Sequence, residues 1–117
     1  NYEDGEAQAL QILALDTLPD AIFAGSEMAA LGALVTLKKH KIKIPQQIAI
    51  VGFNDFKMAH AIEPSLTTVY QPGEEMGKIA TEILLNEIQL IQENKPIIPQ
   101  EKILKTHLIV RNSSYKR

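Results

Sequence analysis

The sequence predicts an α/β fold with a mainly parallel sheet and flanking helices, and three observations carry that reading. Two short apolar runs, Ala21-Ile22-Phe23-Ala24 and Ile48 to Phe53, lack polar alternation, as strands covered on both faces of a parallel sheet do. Each run ends at a small or polar residue and leads into a helical pattern, so that strand, turn and helix follow one another twice. Helices that alternate with such strands build layers of helix on sheet, joined by right-handed crossovers.

The elements follow in order. Over residues 3–15, Ala7, Leu10, Leu13 and Ala14 recur at helical spacing until Leu18-Pro19-Asp20 stops the helix. After the strand at 21–24, Gly25 turns the chain and Ser26 is placed to cap a helix with Glu27 in its first turn. Met28, Leu31, Leu34 and Val35 form the stripe of that helix, and Lys38-Lys39-His40-Lys41 complements its carboxyl end. Pro45 opens the connection to the strand at 48–53, where Asn54 and Asp55 are cap candidates for a short helix over 56–62 closed by Pro64. Thr67, Thr68 and Val69 make 66–70 a strand. Gln71-Pro72 then opens a long helix with Glu74 and Glu75 in its first turn and Met76, Ile79, Ile83, Leu84 and Ile88 on one face. A loop with Pro96 and Pro99, a strand over 103–110 and a polar tail complete the chain.

Composition narrows the function. At 117 residues the chain has room for one ordinary domain, and 45% hydrophobic with 22% charged residues excludes disorder for most of it. Twelve basic against fourteen acidic residues give a charge of −2, which provides no global field for a phosphate backbone. Residues 1–37 hold six acids and no Lys or Arg, whereas 94–117 hold six bases and one acid; the two ends could attract, but the bases are spread out and read first as a solvated face. Cysteine is absent, which removes disulfides and thiolate chemistry. The apolar runs are far shorter than the ~20 residues that cross a bilayer. The opening Asn1-Tyr2-Glu3-Asp4 has neither an initiator methionine nor a charged and apolar leader, and reads as the start of a segment cut from a longer chain.

Ligands of open α/β sheets bind beyond the carboxyl ends of the strands. That rule selects Gly25-Ser26-Glu27 and Gly52-Phe53-Asn54-Asp55, whose polar groups suit a sugar or a purine. Capping alone would also account for Ser26, Asn54 and Asp55. Enzymatic patterns are missing: there is no nucleophile elbow, phosphate loop or dinucleotide fingerprint, and His40, His60 and His107 lie in separate segments without metal spacing. Glu74 and Glu75 diverge on a helix, and Lys78 stands four residues beyond Glu74 as its partner. No metal or cofactor is implied. The helix after Ser26 is apolar on more than one face, because Ala29, Ala30, Ala33 and Leu37 fill the positions between the stripe residues. It is either buried in a larger domain or meets a second subunit, and Gly32 would permit the close approach of that partner.

The segments Pro19 to Ala24, Ala30-Leu31-Gly32-Ala33-Leu34, Ile44-Pro45 with Ile48 to Phe53, Leu66-Thr67-Thr68-Val69, Gln71-Pro72, Met76-Gly77 and Leu84-Leu85 stand in one order over nearly the whole chain. In that order they resemble the effector-binding domain of the lac repressor-like (LacI/GalR) transcriptional regulators. The resemblance implies a periplasmic-binding-protein-like domain of two lobes, of which this chain is an incomplete fragment, with a crevice for a small sugar-like or nucleobase effector. It further implies a cytoplasmic homodimer that contacts DNA only through an amino-terminal helix-turn-helix outside this sequence. Residues 1–70 would form part of the carboxy-terminal lobe, 71–106 a crossover helix and strand of the other, and 107–117 a return segment. Ser26 and Glu27 stand where many members have Asn-Asp, Asn54 where many have an aspartate with Asp55 beside it, and Gly73 where some have an aromatic. Leu31, Leu34 and Ile62 match positions that face the partner subunit. The rival reading is a periplasmic sugar-binding protein of a transport system, which shares the fold.

Overall fold

The computed structural model describes residues 1–115. The elements run α1 (Tyr2–Leu13), β1 (Ala21–Phe23), α2 (Glu27–Lys39), β2 (Ala49–Asn54), α3 (Met58–Ala61), β3 (Thr67–Tyr70), α4 (Gly73–Gln92) and β4 (His107–Ile109). The described residues divide into two compact units, 1–71 with 107–115 and Pro72–Thr106.

The first unit holds a four-stranded sheet in the order β1-β2-β3-β4. β1, β2 and β3 are parallel, with Ile22 opposite Ile50 and Gly52 opposite Thr68, and β4 runs antiparallel with Leu108 opposite Val69. Ala30, Leu34 and Leu37 of α2 meet Ile48, Ile50 and Leu66 in the core, joined by Ala9 and Ala59. Thr67 and Thr68 are buried at 1% and 0% exposure, β-branched residues in the interior of the sheet.

α1 is started by a capping box, in which the Asn1 side chain accepts from the Asp4 amide while the Asp4 carboxylate returns to the Asn1 amino group. Its buried face runs through Gly5 and Ala9 rather than through Ala7 and Leu10, and Leu10 is half exposed. The reason is backbone proximity to α2. A Cβ on Gly5 would lie 2.0 Å from the Ala29 carbonyl oxygen, and one on Gly32 would lie 2.1 Å from that of Tyr2. Small residues therefore decide which faces meet. This also corrects the reading of Gly32 as an opening for a second subunit, because its close partner is α1 of the same chain.

Other local expectations shift. Among the described residues β1 is an edge strand with Phe23 65% exposed, and its apolar run is not covered on both faces. Ser26 is the N-cap of α2 in extended conformation but makes no side-chain cap bond. Lys57, rather than Asn54 or Asp55, precedes α3, which is four residues long. Pro72 is the N-cap of α4. Of the strand foreseen over 103–110, only 107–109 enter the ladder, and of the polar tail foreseen after it Arg111 and Ser113 are tied to the sheet, while Lys116 and Arg117 lie outside the described residues. Ser113, fully buried, donates from its hydroxyl to the Ile50 carbonyl, accepts from the Thr67 amide and receives the Ile50 amide on its own carbonyl. It thereby stitches β2 to β3.

In the second unit α4 carries an apolar face along which Met76, Ile79 and Ile83 share a groove with Lys102 and Leu104. No residue of α4 is fully buried.

Candidate functional site

Three parallel strands end on one side of the sheet, and the polar groups foreseen there are brought together unequally. β1 ends at Phe23, and Ala24 continues the ladder by donating its amide to the Val51 carbonyl at 2.9 Å. Gly25 and Ser26 then lead into α2, with Gly25 exposed and Ser26 half-buried. β2 ends at Asn54, which lies opposite Tyr70 of β3, and Tyr70 lies opposite His107 of β4. Asn54, Tyr70 and His107 thus form one row across the sheet edge, in which the Tyr70 and His107 rings sit 4.8 Å apart.

The turn after β2 is conformationally unusual. Asn54 has φ 112° and Asp55 φ 57°, both in the positive range that only short polar side chains enter with any regularity. Non-glycine residues stay in such conformations where their surroundings over-determine them, most often at functional sites. The Asn54 side chain makes no hydrogen bond among the described residues, leaving a donor and an acceptor at the edge of the sheet.

The surroundings of that turn are supplied from distant parts of the chain. Glu27, 3% exposed at the start of α2, accepts the Phe56 amide on Oε2 at 2.8 Å. Thr68 accepts the Asp55 amide on Oγ1 at 3.3 Å. Arg111 donates to Asp55 Oδ1 at 2.6 Å, and the two side chains are only 9% and 12% exposed. The guanidinium is itself fixed, since it donates to the Leu66 carbonyl at 2.8 Å and lies 2.9 Å from His60 Nε2. A guanidinium has no acceptor, so His60 Nε2 takes the accepting role there.

Glu27 and Asp55, both foreseen as ligand contacts, are therefore engaged inside the protein. Glu27 also lines a small apolar hollow with Met28, Leu31, Phe56, Met58 and Leu66, and its Oε1 is buried without a hydrogen-bond partner. Burial pushes its carboxyl above the ordinary value; the Phe56 amide opposes the shift, Asp55 adds to it and Arg111 counters it. Gly73 belongs to the second unit, exposed at the first turn of α4, with no atom within 4 Å of where a Cβ would stand. Leu31 and Ile62 are half-buried and border one groove with Val35, while Leu34 is 2% exposed and part of the core. Of the basic end, Arg111 forms its ion pair with Asp55 and also acts on the charge of Glu27, and Lys95 pairs with Glu93, while Lys116 and Arg117 lie outside the described residues. Glu74 does not pair with Lys78; the ion pairs among the described residues lie elsewhere.

Arg111, Thr68, His60 and the Tyr70–His107 pair are the residues sequence reasoning missed. One signal was available for Arg111. It directly follows the apolar Leu108-Ile109-Val110, which places it at a strand end rather than in a solvated tail. Among the described residues no group of three His, Cys, Asp or Glu is arranged to hold a metal, and no helix is long and apolar enough to cross a membrane.

The model of a family described as periplasmic binding protein-like domain matches residues 1–114, and the chain belongs to that family. The relatives and structural neighbours it matches include repressors and regulators of the LacI family. It is 30% identical over 104 residues to the ribose operon repressor of Escherichia coli strain K12, covering 89% of this chain and 30% of that protein. It is 32% identical over 113 residues to the HTH-type transcriptional repressor CytR of the same strain, covering 97% of this chain and 32% of that protein. Among solved structures, the transcriptional regulator CelR in complex with cellobiose superposes with a TM-score of 0.85 at 33% identity, over 97% of this chain and 34% of that one. A LacI family transcriptional regulator from Lactobacillus casei with bound sucrose superposes with a TM-score of 0.80 at 29% identity, over 97% and 41%. The chain spans about a third of the length of the curated relatives it matches.

Proposed function

We propose that this chain is the carboxy-terminal part of the effector-binding domain of a DNA-binding transcriptional regulator that senses a sugar-like small molecule. The observation that carries the reading is Asn54, held at positive φ at the carboxyl end of a parallel strand with its amide free of hydrogen bonds within the described residues. An amide that can donate and accept at once suits the vicinal hydroxyls of a sugar, and Ser26 adds a hydroxyl at the end of the neighbouring strand. That the relatives are repressors, and that solved neighbours hold cellobiose and sucrose, favours a regulator over a binding protein of a transport system.

On this reading residues 1–70 and the return segment 107–117 belong to one lobe and 71–106 to the other, a partition supported by the division of the chain at Pro72 and His107. The protein works in the cytoplasm as a homodimer, with Leu31 and Ile62 on the contact surface above the buried Leu34, and reaches DNA through an amino-terminal helix-turn-helix. It catalyses no reaction. The test is calorimetric titration of ribose, glucose, sucrose and cellobiose into the full-length protein and its Asn54→Ala variant. The expected result is measurable affinity for at least one sugar, reduced about tenfold or more by the substitution, as loss of a buried hydrogen-bonding partner entails. Unchanged affinity in the variant would remove Asn54 from the site.

A further inference from the structure

We infer that Glu27 and Arg111 are positioning residues, which clamp the 54–56 turn from two sides so that Asn54 is presented to the effector, and that neither touches the ligand. The inference rests on the proposed sensing role for its functional half. Its structural half stands on the hydrogen bonds alone.

Three fixed points converge on two consecutive residues. The Phe56 amide is held by Glu27 from α2, the Asp55 amide by Thr68 from β3, and the Asp55 carboxylate by Arg111 from beyond β4. The anchors come from elements that the core already fixes: Thr68 is fully buried, Glu27 is 3% exposed, and the Arg111 amide donates to Thr67 Oγ1 at 2.8 Å. Asn54, immediately before the clamped pair, is the residue left untied. A turn with φ of 112° and 57° at two non-glycine residues is costly to hold, and these bonds are what hold it. A buried carboxylate whose Oε1 lacks any partner is itself unfavourable. Its presence is accounted for if Oε2 is needed on the Phe56 amide.

The Glu27 carboxylate faces the Phe56 backbone and the Asp55 carboxylate the Arg111 guanidinium. Glu27 acts through the backbone of residues 55 and 56, so its effect on binding must pass through Asn54.

The experiment uses the full-length protein with Glu27→Leu, Glu27→Gln and Asn54→Ala, alone and combined, and two readouts. Amide hydrogen exchange needs no ligand: Glu27→Leu should accelerate exchange at Asp55 and Phe56 about tenfold or more, with the amides of β2 unchanged, and Glu27→Gln, which keeps an acceptor oxygen, should leave it near the parent rate. In titrations with ribose, glucose, sucrose and cellobiose, Glu27→Leu should weaken the sugar that binds by about tenfold. On the Asn54→Ala background it should weaken it further by less than about twofold, the signature of two residues acting as one unit. Unchanged exchange in Glu27→Leu, or losses that simply add, would overturn the inference. Absence of binding by every sugar would defeat the sensing role while the exchange result still decides the clamp. Should Glu27→Leu fail to fold, Arg111→Met is read in the same way at Asp55.

Discussion

α2 and α4 both present themselves in the sequence as helices with apolar faces, yet the folded chain treats them differently. Seven of the thirteen residues of α2 are buried, including Glu27 and Thr36. None of the twenty residues of α4 is, and Leu84, Leu85 and Ile91 stand 56%, 61% and 59% exposed. The pattern is cleaner in α4, whose polar and apolar residues separate, than in α2, which is apolar nearly all round. Periodicity names the face of a helix; the cover has to come from other segments. α2 has two covers, the sheet beneath Leu34 and Leu37 and α1 against Gly32, whereas among the described residues the face of α4 shares a groove with the segment that carries Lys102 and Leu104.

The sharpest way to break that contrast is truncation on each helix. Leu37→Ala removes a fully buried side chain and should cost about 3 kcal/mol, while Leu84→Ala in this chain should cost less than about 0.5 kcal/mol, both read from urea unfolding followed by circular dichroism. Equal costs would mean that α4 is covered after all. Glycines sharpen the comparison at the next level. Gly32→Ala drives a methyl group into the α1 backbone and should destabilise by about 1–3 kcal/mol, whereas Gly77→Ala meets open space and should stabilise by up to about 1 kcal/mol through helix propensity alone. A neutral Gly32→Ala in a thermal melt would show that α1 and α2 separate freely.

The smallest effect concerns the charge at the start of α2. Because the folded state raises the Glu27 carboxyl above its ordinary 4.5, it binds the proton more tightly than the unfolded chain does. That contribution is fully present below pH 4.5 and is lost as pH rises through the raised value. Glu27→Gln should therefore match the parent in acid and exceed it in stability near neutrality. Parallel stability curves across that window would refute the shift.

Much of the architecture was legible before any coordinates. The order of elements, the buried apolar run of β2 and the position of the polar strand ends follow from residue type and spacing, each a local property. Boundaries differ little except in the last segment, where Ile103-Leu104-Lys105-Thr106 suits a strand in residue type but pairs with no strand among the described residues. The candidate site was legible only as a set of positions. Ser26, Glu27, Asn54 and Asp55 were marked by lying after apolar runs, and nothing in the spacing distinguished the amide left free from the carboxylates turned inward.

What the sequence by itself determined is the kind of fold and the face of each element, because hydrophobic period, turn residues and capping act over a few residues. Only the tertiary structure decided that Asp55 meets Arg111, 56 positions away, that Glu27 closes on Phe56 across 29, and that Gly5 and Gly32 set the contact of α1 with α2. Those choices depend on which backbones come within hydrogen-bonding and van der Waals distance once the sheet has formed, a condition that no local pattern encodes.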